Sequence, residues 1–234
     1  MRRTTPGLLA LTSTAALPHP LEVIEGALAP VVLPERMARL EAVARARVGS
    51  VVVVLENLTD PHNAAAILRT ADGLGVGEVH LLDLGVRPLM APTVTRGCER
   101  WMDLTLHRGM GTCLDGLRAR GFELYIADAK ATTPLEVIAG RPRVALAFGN
   151  EHLGASADLR AAATGTFSVP MRGMVESFNV SVAAGIALYI TTRGRAGDLG
   201  ETEARALRAR FLMESVRNPT ALIERYLRDH GGAR

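Results

Sequence analysis

Residues 50–76 read "SVVVVLENLTDPHNAAAILRTADGLGV". The run from Val51 to Leu55 is apolar at every position and almost wholly β-branched. A strand with one wet face alternates apolar and polar residues, whereas a strand covered on both faces has no polar side to show. The run therefore predicts a strand buried on both sides. The period then changes. Ala64, Leu68, Ala71 and Gly75 recur at the spacing of one helix face, and Asn63 stands where a capping residue would. Strand, polar loop and helix in that order form the unit of a parallel sheet, because a parallel neighbour is reached only by a crossover.

The alternation continues downstream. "VGEVHLLDL", "FELYIADA", "RVALAFGN" and "GTFSVPM" read as strands. "MGTCLDGLRARG" and "ASADLRAAAT" read as helices, and a last core helix is expected from about Glu176 to Thr192. The prediction is an α/β fold, a parallel sheet covered by helices on both faces, over residues 50–192. An N-terminal extension, residues 1–49, contains a helix in "PERMARLEAVARARV" with Met37, Leu40, Val43 and Ala44 on one face. Residues 193–234 form a C-terminal helical extension, divided near Asn218 and Pro219. Ala183, Ala184, Gly185 and Ala187 give the last core helix a small-residue surface, suited either to a second copy of the chain or to the chain's own core.

Composition narrows the classes. The 234 residues are 48% hydrophobic and 22% charged, the balance of a globular protein with an ample core. No apolar run approaches the roughly 20 residues that span a bilayer, so no membrane partner is expected. The opening "MRRTTPGLLALTSTAALPHP" has an apolar core broken by Thr12, Ser13 and Thr14. It reads as a loosely packed extension rather than an export signal. Cys98 and Cys113 have no metal-ligand spacing and form no disulfide framework, which fits a cytoplasmic setting. Net charge is +3, and Lys130 is the only lysine among 27 basic residues. Arginine forks suit phosphate, and they gather at the two ends of the chain, as RNA-contacting segments would.

Three polar loops, "ENLTDPHN", "FGNEHLG" and "MRGMVESFN", each follow a predicted strand. Ligands of open parallel sheets sit at strand carboxyl ends, so the three are expected to meet in one crevice. No G-x-G-x-x-G follows the first strand and no P-loop is present, which argues against dinucleotide binding and phosphoryl transfer. No G-x-S-x-G elbow occurs, and the histidines lack zinc spacing, so no metal is expected.

Three stretches carry a family resemblance. "NAAAILRTADGLGV", "FGNEHLGAS" and "VPMRGMVESFNVSVAAGIALY" resemble, in order and spacing, the three motifs of the SpoU class of SPOUT RNA 2′-O-methyltransferases. The likeness runs from about residue 35 to 195. It implies a SPOUT fold with a C-terminal deep trefoil knot, S-adenosyl-L-methionine as cofactor, and a homodimer. It implies catalytic roles for Arg69, Asn63, Glu151, Ser177 and Asn179. It places Ala127, Gly149, Gly154, Val169, Met171 and Phe178 around the cofactor. The expected reaction is methylation of a ribose 2′-hydroxyl in tRNA, at guanosine 18 of the D loop. A ribosomal RNA substrate, or a SPOUT-fold RNA-binding protein without catalysis, are the alternatives. Ser177 and Asn179 also suit plain helix capping.

Overall fold

In the computed structural model, which describes residues 17–82 and 97–230, the run Val51–Glu56 is a strand, β1, buried along its whole length. Five further strands follow: β2 (Glu78–Leu82), β3 (Asp103–His107), β4 (Glu123–Ala127), β5 (Val144–Phe148) and β6 (Gly165–Phe167). They form one sheet in the order β3-β2-β1-β5-β4-β6, and every neighbouring pair is parallel. Val53 on β1 faces Val79 on β2 and Leu146 on β5.

Helices along the chain are α1 (Leu21–Leu28), α2 (Pro34–Arg45), α3 (Pro61–Gly73), α4 (Met110–Ala119), α5 (Leu135–Ala139), α6 (Ala157–Ala162), α7 (Val180–Thr192), α8 (Glu201–Ser215) and α9 (Pro219–His230). The two-residue period of β1 sorts them into layers. Val51, Val53 and Leu55 pack with Leu68 of α3, Ile138 of α5 and Leu188 of α7. Val52 and Val54 pack with Leu114 and Leu117 of α4 and Leu159 of α6. Both faces are thus apolar because both are covered, and each fully buried side chain contributes about 1.5–3 kcal/mol.

Three local expectations change, and one left open is decided in part. Asn63 does not cap α3: Asp60 does, accepting from the His62 N–H at 2.8 Å. Pro61 is at home in the first turn, where its missing N–H costs nothing, and that moves the helix start back and frees the Asn63 side chain. The last core helix begins at Val180 rather than near Glu176, because Asn179 accepts from Ser181 N–H and ends the loop. The strand read in "GTFSVPM" stops at Phe167, before Pro170, which has no N–H for a ladder. Ala184 and Ala187 are fully buried in the core, so these two serve the chain's own packing. Within the sheet-bearing core, two elements escaped the sequence reading. The edge strand β3 has only an alternating pattern, with Leu104 buried and Leu106 at 36% exposure. The helix α5 has only five residues.

The described residues divide into two compact units, one within Val48–Arg195 and a second made of those up to Arg47 with those from Ala196 onward. In the second unit α1 packs on α8 and α9, and α2 on α8, around Ile24, Leu28, Phe211 and Ile223. Several of its arginines are committed internally. Arg205 reaches Glu25 at 2.7 Å, and Arg208 bridges Glu25 and Glu41 at 2.5 Å each. The Arg205 hydrogen bond in particular holds the Glu25 carboxyl below its usual range against the opposing effect of burial. Arg39, Arg217 and Arg228 are exposed. Among the described residues no helix is long and apolar enough to cross a membrane.

Candidate active site

The loops after β1, β5 and β6 do meet, and a single carboxylate ties two of them together. Glu151 follows β5. Its Oε2 accepts from the backbone N–H and the hydroxyl of Thr59, both at 2.9 Å. Its Oε1 accepts from Asp60 N–H at 3.2 Å and from Asn63 Nδ2 at 3.0 Å. Burial pushes this carboxyl up, but the hydrogen bonds from Thr59 and Asn63 outweigh it and hold the group down at about 2. A carboxylate so occupied is a poor base and a good anchor.

The anchor orients what lies beyond it. With Asn63 Nδ2 given to Glu151, Asn63 Oδ1 is left to accept from Asn179 Nδ2 at 3.0 Å. Asn179 therefore turns its oxygen to α7, where it accepts from the N–H and hydroxyl of Ser181 at 2.8 and 2.6 Å. One carboxylate thus fixes two amides in sequence and joins the third loop to the first.

The loop after β5 is braced from both sides. Asn150 Nδ2 donates to Asn57 C=O at 2.8 Å, while its Oδ1 accepts from His152 and Leu153 N–H groups, both at 2.9 Å. Asn150 and Gly154 exchange backbone hydrogen bonds of 3.1 and 2.9 Å across the turn. Gly154 has a φ of +70°, a left-handed conformation that a side chain strains. A Cβ on Gly149 would come within 2.6 Å of Gly154 backbone. The glycine at 149 is thus required first by the loop's own return. Beyond the turn, Ser156 caps α6 and bonds Glu56 through both its N–H and its hydroxyl, at 2.8 and 2.5 Å. Glu56, 1% exposed at the end of β1, is the buried carboxyl group on which that turn closes.

Between these loops lies a cavity of about 300 Å³. Ala127, Gly149, Gly154, Val169, Met171 and Phe178 all line it, as do Glu151, Ser177 and Asn179. Asn63 stands behind the wall, bonded to two of the lining residues. Arg69 is exposed on α3 and is not part of the lining. Glu151 spends its side chain on Thr59, Asp60 and Asn63, with no hydrogen bond to Arg69. Asp128, also in the wall, is paired with Arg160 at 2.6 Å, and this contact is the chief reason its carboxyl titrates lower than usual. Sequence reading missed Asn57, Thr59, Asn150 and the Glu56–Ser156 pair. Only Glu56 left a sequence signal, as the lone charge closing an otherwise apolar buried run.

Comparison with known proteins places these loops in context. The model of the SpoU rRNA Methylase family matches residues 50–189. A tRNA (guanosine(18)-2′-O)-methyltransferase of Thermus thermophilus is 39% identical over 163 residues, 68% of this chain and 83% of its own. The crystal structure of the A. aeolicus TrmH/SpoU tRNA modifying enzyme superposes with a TM-score of 0.70 at 28% identity, covering 79% of this chain and 98% of that one. An AdoMet-bound rRNA methyltransferase from Sinorhizobium meliloti gives a TM-score of 0.57 at 25% identity, over 66% of this chain and 59% of that one.

Proposed function

This chain belongs to the SpoU rRNA methylase family, and we propose that it is a tRNA methyltransferase that transfers a methyl group from S-adenosyl-L-methionine to the ribose 2′-hydroxyl of guanosine 18. The observation that carries the reading is the joining of the three motif loops, through Glu151, Asn63 and Asn179, about one cavity. The named activity of the Thermus thermophilus relative supports the choice of RNA and nucleotide.

The cavity suits the cofactor. Val169, Met171 and Phe178 offer apolar faces to a purine, while Ala127 and Gly149 leave mostly backbone at the wall, where N–H and C=O groups can read ring edges. When bound, S-adenosyl-L-methionine supplies a methyl group made electrophilic by its sulfonium centre. The chain's own residues do the rest. Glu151 fixes Asn63, and Asn63 fixes Asn179, so that Asn179 stands at the cavity wall in a set orientation, with Ser177 in the same lining. Arg69 meets the 2′-hydroxyl and a neighbouring phosphate from the solvent side. Methyl transfer to the 2′-oxygen would break the methyl–sulfur bond and leave the thioether S-adenosyl-L-homocysteine, the hydroxyl proton would pass to solvent water, and Arg69 would steady the negative charge that develops on the oxygen.

The trefoil knot belongs to the same reading. It is supported by the crossing of the chain from β4 to β5 and back beyond β4 to β6, with the segments after all three strands around one cavity. So does a homodimer. Val182 and Tyr189 on α7 are 48% and 54% exposed, and Met174 in the loop before it is fully exposed, an apolar surface beside the site that a second copy would cover. Light scattering at micromolar concentration is expected to give about twice the 24.9 kDa chain mass. A mass of one chain would refute the dimer.

Mass-spectrometric mapping of 2′-O-methyl groups in tRNA and ribosomal RNA, with and without this protein, tests the function. The mark at guanosine 18 should depend on the protein. Dependence confined to ribosomal RNA would overturn the assignment.

A further inference from the structure

We propose that His80, His107 and Cys113 bind a divalent transition-metal ion of the zinc class at the β2–β3 edge of the sheet. The edge lies across the sheet from the β4, β5 and β6 ends that border the cavity. His80 comes from β2, His107 closes β3, and Cys113 lies on α4. One ligand atom from each lies within 4.8 Å of the other two. His80 Nδ1 and His107 Nε2 are only 2.9 Å apart. A tetrahedral ion with Zn–N near 2.0–2.1 Å and Zn–S near 2.3 Å holds its donors roughly 3.3–3.7 Å apart. Side-chain movements of about an ångström therefore convert the cluster into a first coordination sphere.

The surroundings are built as those of a ligand set. His80 Nε2 is 2.8 Å from Glu78 Oε1, and Arg120 grips both oxygens of Glu78, one at 2.7 Å. A carboxylate held in that fork can only accept, so His80 carries its hydrogen on Nε2 and turns the Nδ1 lone pair to the cluster. A carboxylate behind a histidine is how metal sites fix ring orientation and strengthen the donor. His80 and Cys113 are 8% and 2% exposed, while His107 is half-buried and gives access from solvent. In the metal-free chain the hydrogen between the two rings belongs to His107. On binding, the ion takes the place of that hydrogen, the His107 proton moves by way of solvent from Nε2 to Nδ1, and the Cys113 thiol proton leaves to solvent. Two imidazoles and one thiolate then hold the ion, with a fourth position for water. Nitrogen and sulfur donors select zinc-like ions over magnesium or calcium. No short motif signals the site, because its ligands come from three elements. Its role is to clamp β2, β3 and α4 together.

The test is titration of the chelator-treated full chain with Co²⁺ and with Zn²⁺. One equivalent per chain is expected, with the near-ultraviolet thiolate-to-cobalt band and the visible bands of a tetrahedral ion, all erased by added Zn²⁺. Cys113→Ser should remove the thiolate band. His107→Ala, which spares the buried core, should weaken Zn²⁺ binding at least tenfold and abolish the rise in Tm that Zn²⁺ gives the unaltered chain. Failure to take up an equivalent of Zn²⁺, uptake undiminished by His107→Ala, or a cobalt spectrum without the thiolate band would each overturn the proposal.

Discussion

Arg69→Ala is expected to lose methyl transfer by about 10³-fold, a barrier change near 4 kcal/mol, while keeping its fold and its affinity for S-adenosyl-L-methionine. The separation of effects follows from where Arg69 stands. It is exposed on α3 and outside the cavity lining, so truncation opens no void in the core and removes no wall from the cofactor site. Asn63, six residues earlier on the same helix, is held by Glu151 and Asn179 independently of Arg69. On the proposed reading, what truncation removes is a positive fork where the RNA backbone and the 2′-oxygen would arrive. A free arginine has a pKa above about 12 and is a poor proton acceptor. The contribution proposed for Arg69 is orientation of the hydroxyl and stabilisation of charge on the attacking oxygen. Arg69→Lys should rescue little, because an ammonium cannot reproduce the planar, two-point contact. Single-turnover methylation decides it. A rate within about tenfold of the unaltered protein, near 1.4 kcal/mol, would remove Arg69 from the reaction.

Gly149→Val is expected to weaken S-adenosyl-L-methionine binding at least 100-fold, about 2.7 kcal/mol, with the sheet still folded. A Cβ at this position meets Gly154 and Ala155 backbone rather than a yielding side chain. The turn must therefore open, and opening it disturbs the Asn150–Gly154 hydrogen bonds and moves Gly154 within the cavity wall. Overpacking of this kind costs about 1–3 kcal/mol of stability, which a core buried on both faces of β1 can absorb. Calorimetry with the cofactor, beside circular dichroism to report the fold, measures both sides. Undiminished affinity in a folded variant would show that the turn after β5 is not part of the cofactor site.

The parts of this architecture that repeat along the chain were legible in the sequence. The β-branched run of β1 and the spacing of Ala64, Leu68 and Ala71 gave a covered parallel sheet, and the structure has it. Strand-end loops were expected to converge, and they do. What stayed hidden depends on partners remote in sequence. Glu56 and Ser156 are 100 residues apart, and Asn63 and Asn179 are 116 apart, so no local pattern records either bond. The Asn63 side chain illustrates the ambiguity: an asparagine at a helix start suits capping, and only the Glu151 carboxylate 88 residues away draws it elsewhere. The edge strand β3 failed for a different reason, since an edge needs fewer apolar residues than a centre and leaves a weaker pattern. Thr59 and Asn150 likewise act through tertiary hydrogen bonds. The motif resemblance reached Glu151 and Asn179 where period and spacing could not.

The proposed activity is chemical and positional: a methyl group placed on one ribose oxygen of one tRNA residue. Its most direct test is methyl transfer from labelled S-adenosyl-L-methionine to two tRNA transcripts that differ by one atom, guanosine 18 carrying either its 2′-hydroxyl or 2′-hydrogen. Label is expected in the first transcript, at one methyl per molecule, and only background in the second. Equal labelling of both transcripts would contradict the account, because the oxygen said to receive the methyl group would then be dispensable.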